Sequence, residues 1–211
     1  MPRVRVHQHV NPLSPYYIFK PQPIEIESVF ADPSLPIHLD IGCARGRFIL
    51  KMACVEPDFN YIGVEIREPL VTEANRLAAE ENLPNLYYEF CNAMVALGDL
   101  LAKIPGNLLQ TVTIQFPDPW FKKKHAKRRM VNRELVEVVI KSLAENGRIF
   151  VQTDIEFLAE EMFALFRENV NLREIEIAEN PFPVKTERET VVEEKNLPVY
   201  RTLFIKETVG E

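Results

Sequence analysis

No stretch of this 211-residue chain is apolar for long enough to cross a bilayer. The first ten residues mix Arg3, Arg5, His7 and His9 with single valines and lack the apolar centre of a secretion signal. A cytoplasmic protein is the expectation, with no membrane partner. Cysteine is scarce. Cys43, Cys54 and Cys91 are odd in number, widely spaced and form no C-x-x-C pair, which argues against a disulfide framework and against a structural metal site. Internal repeats and low-complexity tracts are missing. So are the G-x-G-x-x-G fingerprint of dinucleotide binding and the lysine of a Walker loop.

What is present suits one domain with a sizeable core. Hydrophobic residues make up 46% of the chain and charged residues 27%. The formal net charge of −6 taken alone disfavours a polyanionic partner. The distribution reverses that reading, because Lys122, Lys123, Lys124, Lys127, Arg128, Arg129 and Arg133 are packed into one short stretch. Screening makes such a local field count for more than the total charge.

Five prolines in residues 1–24 mark an irregular basic arm, and residues 25–211 read as a single domain. A short helix is expected over Ile26–Ala31. Short apolar runs then alternate with helix-length segments. Strands are expected at Pro36–Ile41, Tyr61–Ile66, Leu86–Phe90, Thr111–Phe116 and Arg148–Thr153. Helices are expected at Gly46–Val55, Glu68–Glu81, Met94–Lys103, Asn132–Ala144 and Ile155–Glu168. Leu172–Ile177 and Tyr200–Lys206 close the chain as two strands joined by a loop, Asn180–Pro198. This alternation predicts a doubly wound α/β fold: a mostly parallel seven-stranded sheet, helices on both faces and an antiparallel pair at one edge. Ligands of such sheets bind at the carboxyl ends of the strands.

Three of those ends form a candidate cofactor site. The first strand runs into Asp40-Ile41-Gly42-Cys43-Ala44-Arg45-Gly46, where Gly42 and Gly46 permit a tight turn; a plain strand-to-helix turn fits this pattern equally well. The second strand ends in Glu65, whose carboxylate can accept from both hydroxyls of a ribose. The third ends in Asn92, which can meet an adenine edge, cap the next helix, or do both. No pyrophosphate cradle accompanies them, so S-adenosylmethionine fits better than a dinucleotide.

The fourth strand runs into Phe116-Pro117-Asp118-Pro119-Trp120-Phe121, followed at once by the basic run. The two prolines stiffen the turn and fix the Asp118 carboxylate. Trp120 and Phe121 are expected to pack against the neighbouring loops, or one of the two rings to stack on a base, with packing the favoured role for the lone tryptophan. The basic run is expected to bind phosphates. Asp154 is expected to cap the next helix or to face the pocket. The Asn180–Pro198 loop reads equally as a functional loop or as a disordered one.

Taken in order, LDIGCARGRF, YIGVEI, FPDPWFKKKHAKRR and VQTD resemble the bacterial tRNA (guanine-N7-)-methyltransferase family, over about Pro36 to Phe204. The resemblance implies a class I S-adenosylmethionine-dependent methyltransferase fold and methyl transfer from S-adenosyl-L-methionine to a variable-loop guanosine of tRNA. It implies cofactor contacts from Asp40, Gly42, Glu65, Asn92 and Asp118, with Asp118 also the catalytic aspartate of the active site. Lys122, Asp154, Thr186, Glu187, Arg188 and Glu189 would contact the substrate. The chain departs from the family pattern at three places. Ala44 stands where a third glycine is usual, Asn92 where Asp is usual, and Thr186-Glu187-Arg188-Glu189 where Thr-Lys-Phe-Glu is usual. Two rivals are a nucleotide-dependent oxidoreductase on a similar sheet and a non-catalytic RNA-binding subunit. Monomer and homodimer both remain open.

Overall fold

The structure, a computed structural model, describes residues 10–208. Residues 1–9 of the basic arm lie outside the described part. Seven strands form one sheet: β1 (Ile37–Ile41), β2 (Asn60–Glu65), β3 (Leu86–Phe90), β4 (Leu109–Gln115), β5 (Arg148–Thr153), β6 (Leu172–Glu176) and β7 (Tyr200–Lys206). Their order is β3-β2-β1-β4-β5-β7-β6. The first five are mutually parallel, and β7 runs antiparallel to both β5 and β6. The helices are α1 (Ile26–Val29), α2 (Arg47–Val55), α3 (Glu68–Glu80), α4 (Ala93–Leu100), α5 (Arg133–Ser142), α6 (Glu156–Arg167) and α7 (Glu187–Glu194).

Every residue of β1 and β2 is buried, as central parallel strands require when helices cover both faces. The two-residue alternation sorts them. Ile37, Leu39, Ile41, Ile62 and Val64 join the cluster that holds Leu97 of α4, Val139 of α5 and Met162 of α6. Tyr61 faces the opposite cluster, with Ile49 and Met52 of α2 and Ala74 of α3. The chain therefore crosses from one face of the sheet to the other between β3 and β4. The switch point falls between the neighbouring strands β1 and β4, where α/β sheets open a crevice.

Two expectations are corrected. The Asn180–Pro198 segment is neither a plain loop nor disordered, because it contains α7. Thr186 caps that helix by accepting from the Glu189 N–H at 3.1 Å, so Thr-x-x-Glu is a capping signature. Asp154 does not cap α6. Ile155 holds the cap position, and the Thr153 hydroxyl accepts from its N–H at 3.3 Å.

Candidate active site

The carboxyl ends of β1, β2, β3, β4 and β5 open into one cleft of about 1790 Å³. Its floor begins with the turn after β1. Gly42, Ala44 and Gly46 all adopt left-handed backbone, at φ of 79°, 51° and 69°. Ala44 carries the strain that a glycine there would avoid, which accounts for the usual residue at that place. Gly46 is constrained further. A Cβ on it would lie 2.3 Å from the buried Tyr88 ring, whose hydroxyl donates to the Gly46 carbonyl at 2.6 Å.

Asp40 is buried beneath this turn. The Thr113 hydroxyl donates to it at 2.6 Å, and the Thr113 oxygen lies 3.2 Å from His38 Nε2. Thr113 spends its proton on Asp40, so His38 is the donor in the second bond, the neutral Nε2–H tautomer. Burial, with Arg148 nearby, lowers the His38 pKa to about 3 and keeps the ring uncharged. Burial pushes the Asp40 carboxyl up to about 6, against the hydrogen bond from Thr113 and with a small addition from Glu65.

Glu65, at the end of β2, is also buried. Its Oε2 accepts from the Ala44 N–H at 3.0 Å, which ties the second strand end to the first turn. Arg67 grips both carboxylate oxygens, Nε to Oε1 and Nη2 to Oε2, each at 2.9 Å. Sequence reasoning missed Arg67. Its only signal was its position two residues after Glu65, beside the same turn. A ribose that reaches Glu65 must share this carboxylate with Arg67 or displace it.

Asn92 caps α4 by accepting from Met94 N–H at 3.3 Å. Its amide donates to the Pro12 carbonyl at 2.8 Å and the Tyr17 carbonyl at 3.2 Å. The capping reading is realised, while the amide is spent on the N-terminal arm. Phe19 stacks on Phe90 at 5.0 Å, and Val10 and Pro12 line the cleft. From residue 10 onward the arm is thus a wall at the β3 end of the cleft, a role that its proline content alone did not show.

On the far side, Asp118 sits in a turn whose two flanking residues, Phe116 and Trp120, have φ of 50° and 43°. Left-handed backbone at bulky aromatic residues is costly and concentrates at sites where geometry matters. Arg129 braces the turn by donating to the Pro119 carbonyl at 3.0 Å, and it pairs with Glu161 of α6. The basic run folds into a 3-10 helix, Lys123–Arg128, that turns back over Trp120. The Arg128 guanidinium lies 5.0 Å from the Trp120 ring, and His125 meets that ring edge-on at 5.6 Å. Trp120 therefore packs, as expected.

Asp154 pairs with Arg188 and Arg47 pairs with Glu187, so α7 is pinned across the mouth from two sides. Of the residues singled out from sequence, Asp40, Gly42, Glu65, Asn92, Asp118, Asp154, Thr186, Glu187 and Arg188 all line the one cleft. Lys122 and Glu189 do not. Glu189 is fully buried, and its carboxylate accepts from Asn180 at 2.7 Å, Gln152 at 3.0 Å and Arg201 at 3.3 Å. Its position is that of an anchor holding α7 to β5 and β7, and a direct substrate contact is corrected to that extent. Among the described residues there is no helix long and apolar enough to cross a membrane and no cluster suited to a metal ion.

The innermost polar groups are two buried acceptors, the carboxylates of Asp40 and Glu65, the second of them paired with Arg67, beneath a turn that lines the cleft. That chemistry fits a phosphate-free adenosine compound carrying positive charge, such as S-adenosylmethionine.

Comparison with known proteins agrees. Residues 34–202 match a family model described as a putative methyltransferase. The tRNA (guanine-N(7)-)-methyltransferase of Trichormus variabilis is 52% identical, with 97% of each chain covered. That of Synechococcus elongatus is 50% identical over 98% of this chain and 99% of its own. Among solved structures, an antibiotic-resistance methyltransferase superposes with a TM-score of 0.55 at 16% identity, covering 88% of this chain and 91% of its own. An aminoglycoside resistance methyltransferase gives 0.53 at 19%, covering 86% and 90%. These two likenesses show the fold, and the sequence relatives show the family. With its paired carboxylates under the first turn and its proline-clamped aspartate beside a basic run, this chain belongs to the tRNA (guanine-N(7)-)-methyltransferase family.

Proposed function

We propose that this chain transfers a methyl group from S-adenosylmethionine to N7 of a guanine in tRNA. The observation that carries the reading is the meeting, in one cleft, of the Asp40–Glu65 floor with the Asp118 turn and, from the basic run that follows it, Arg128. The cofactor supplies an electrophilic methyl on a sulfonium. Asp40, Gly42 and Glu65 would hold it, and the arm anchored on Asn92 would close its adenine end.

Guanine N7 bears a lone pair and no proton, so no general base is needed. The protein's task is to align the base and to stabilise the positive charge that develops on the purine. The Asp118 carboxylate, carried on a turn flanked by the left-handed Phe116 and Trp120, would do this. A carboxylate can also accept from guanine N1–H and the N2 amino group. Asp154 is the second acceptor on the rim. Its pairing with Arg188 means that α7 must yield when a base is held there. Lys122 and the 3-10 helix after it bind phosphates, which positions the RNA without reading its sequence.

The test is incubation with methyl-labelled S-adenosylmethionine and unmodified tRNA, followed by strand cleavage specific for N7-methylguanosine. Label at a guanine N7 supports the reading. Absence of transfer, or label on another atom, defeats it.

A further inference from the structure

We infer that Phe121 and Phe157 form a stacking subsite for an unpaired nucleobase next to the guanine being methylated. The inference rests on the proposed tRNA methylation. Phe121 is 67% exposed and lines the cleft three residues after Asp118. Phe157, at the start of α6, is 37% exposed. Their rings meet edge to face, with centroids 5.9 Å apart and planes at 63°. The Arg129 guanidinium lies 5.0 Å from the Phe157 ring centroid and is itself held by Pro119 and Glu161. The pair is therefore a braced step on the same turn that carries Asp118.

Trp120 does not fill this role, because Arg128 and His125 already pack on it. The occupant follows from the charge around the step. Lys122, Lys123 and Lys124 follow Phe121 directly, so a ligand with an apolar face joined to anionic groups is matched on both counts. A nucleotide is such a ligand: its base stacks on the exposed ring while its phosphate meets the lysines.

The experiment compares Phe121→Ala, Phe121→Leu, Phe121→Trp and Phe157→Leu for tRNA affinity across a salt titration, with thermal midpoints as the control for folding. Phe121→Ala is expected to weaken tRNA binding about tenfold with its salt slope unchanged, since the lost contact is uncharged. Phe121→Trp should restore binding, and Phe121→Leu should not, because stacking needs a flat π face. Phe157→Leu, which removes the brace, should weaken binding by a smaller factor. Wild-type affinity in Phe121→Ala, or full rescue by leucine, overturns the subsite. Those results leave the proposed function standing so long as the wild-type protein methylates tRNA. A wild-type protein that transfers no methyl to tRNA defeats both.

Discussion

Replacing Gly46 by alanine should damage the turn beneath the cofactor cleft by an amount that can be divided into causes. The backbone there sits at φ 69°, ψ 5°, where a side chain costs about 1–2 kcal/mol. The new Cβ would lie 2.3 Å from Tyr88 Cε1 and 2.5 Å from Cζ. That ring is 1% exposed, so it moves only against packed neighbours, and overpacking of this kind adds about 1–3 kcal/mol. The total is about 2–5 kcal/mol, a large part of an ordinary domain's stability. Urea denaturation of Gly46→Ala, Tyr88→Leu and the double variant separates the terms. With the ring gone, the alanine should cost only its backbone share, leaving a coupling of about 2 kcal/mol. Additive costs would refute the proposed clash. A Gly46→Ala loss below about 1 kcal/mol would refute both terms.

Four further outcomes follow from the same geometry. The folded Asp40 pKa of about 6 lies above the ordinary 3.8, so the native state holds the proton more tightly than the unfolded chain. This group's contribution therefore makes the protein less stable as pH rises from about 4 to 6, then levels off. Asp40→Asn should remove that pH dependence in thermal or urea unfolding at matched ionic strength. Cofactor affinity should fall as pH drops through about 6 and Asp40 loses its charge, which titration calorimetry on the free protein can read. Ala44→Gly, which relieves a left-handed alanine at φ 51°, should leave stability unchanged or raise it by up to about 1 kcal/mol in urea denaturation, the relief being offset by unfolded-chain entropy. Replacing Lys122 and Lys127 by alanine should weaken tRNA binding and reduce the slope of log affinity against log salt by roughly one per lost phosphate contact, read by filter binding.

Much of this architecture was legible because its signals are local. The apolar runs at Leu86–Phe90, Arg148–Thr153 and Tyr200–Lys206 became strands over those same residues. The strand ends Asp40, Glu65 and Asp118 meet because a doubly wound sheet brings them together whatever the side chains between them. Contacts made across the chain were not legible. Nothing near Asn92 announces that its amide will hold carbonyls some eighty residues earlier. The Arg188–Asp154 and Arg47–Glu187 pairs depend on where α7 lands. The helix itself was signalled by Thr186 and Glu189 at capping spacing, but Pro181, Pro183 and Pro198 around it and a dense run of charge concealed it. Glu189 was expected as a substrate contact, and its burial followed only from the docking of α7 against Gln152 and Arg201.

The central claim is that a rigidly held Asp118 acts on the guanine as methyl transfer proceeds. Single-turnover transfer by Asp118→Ala, with tRNA and S-adenosylmethionine both saturating, addresses it without interference from binding. A drop of about a hundredfold or more in the transfer rate, in a variant that still binds tRNA, is the expected result. Transfer at the wild-type rate under those conditions would contradict it.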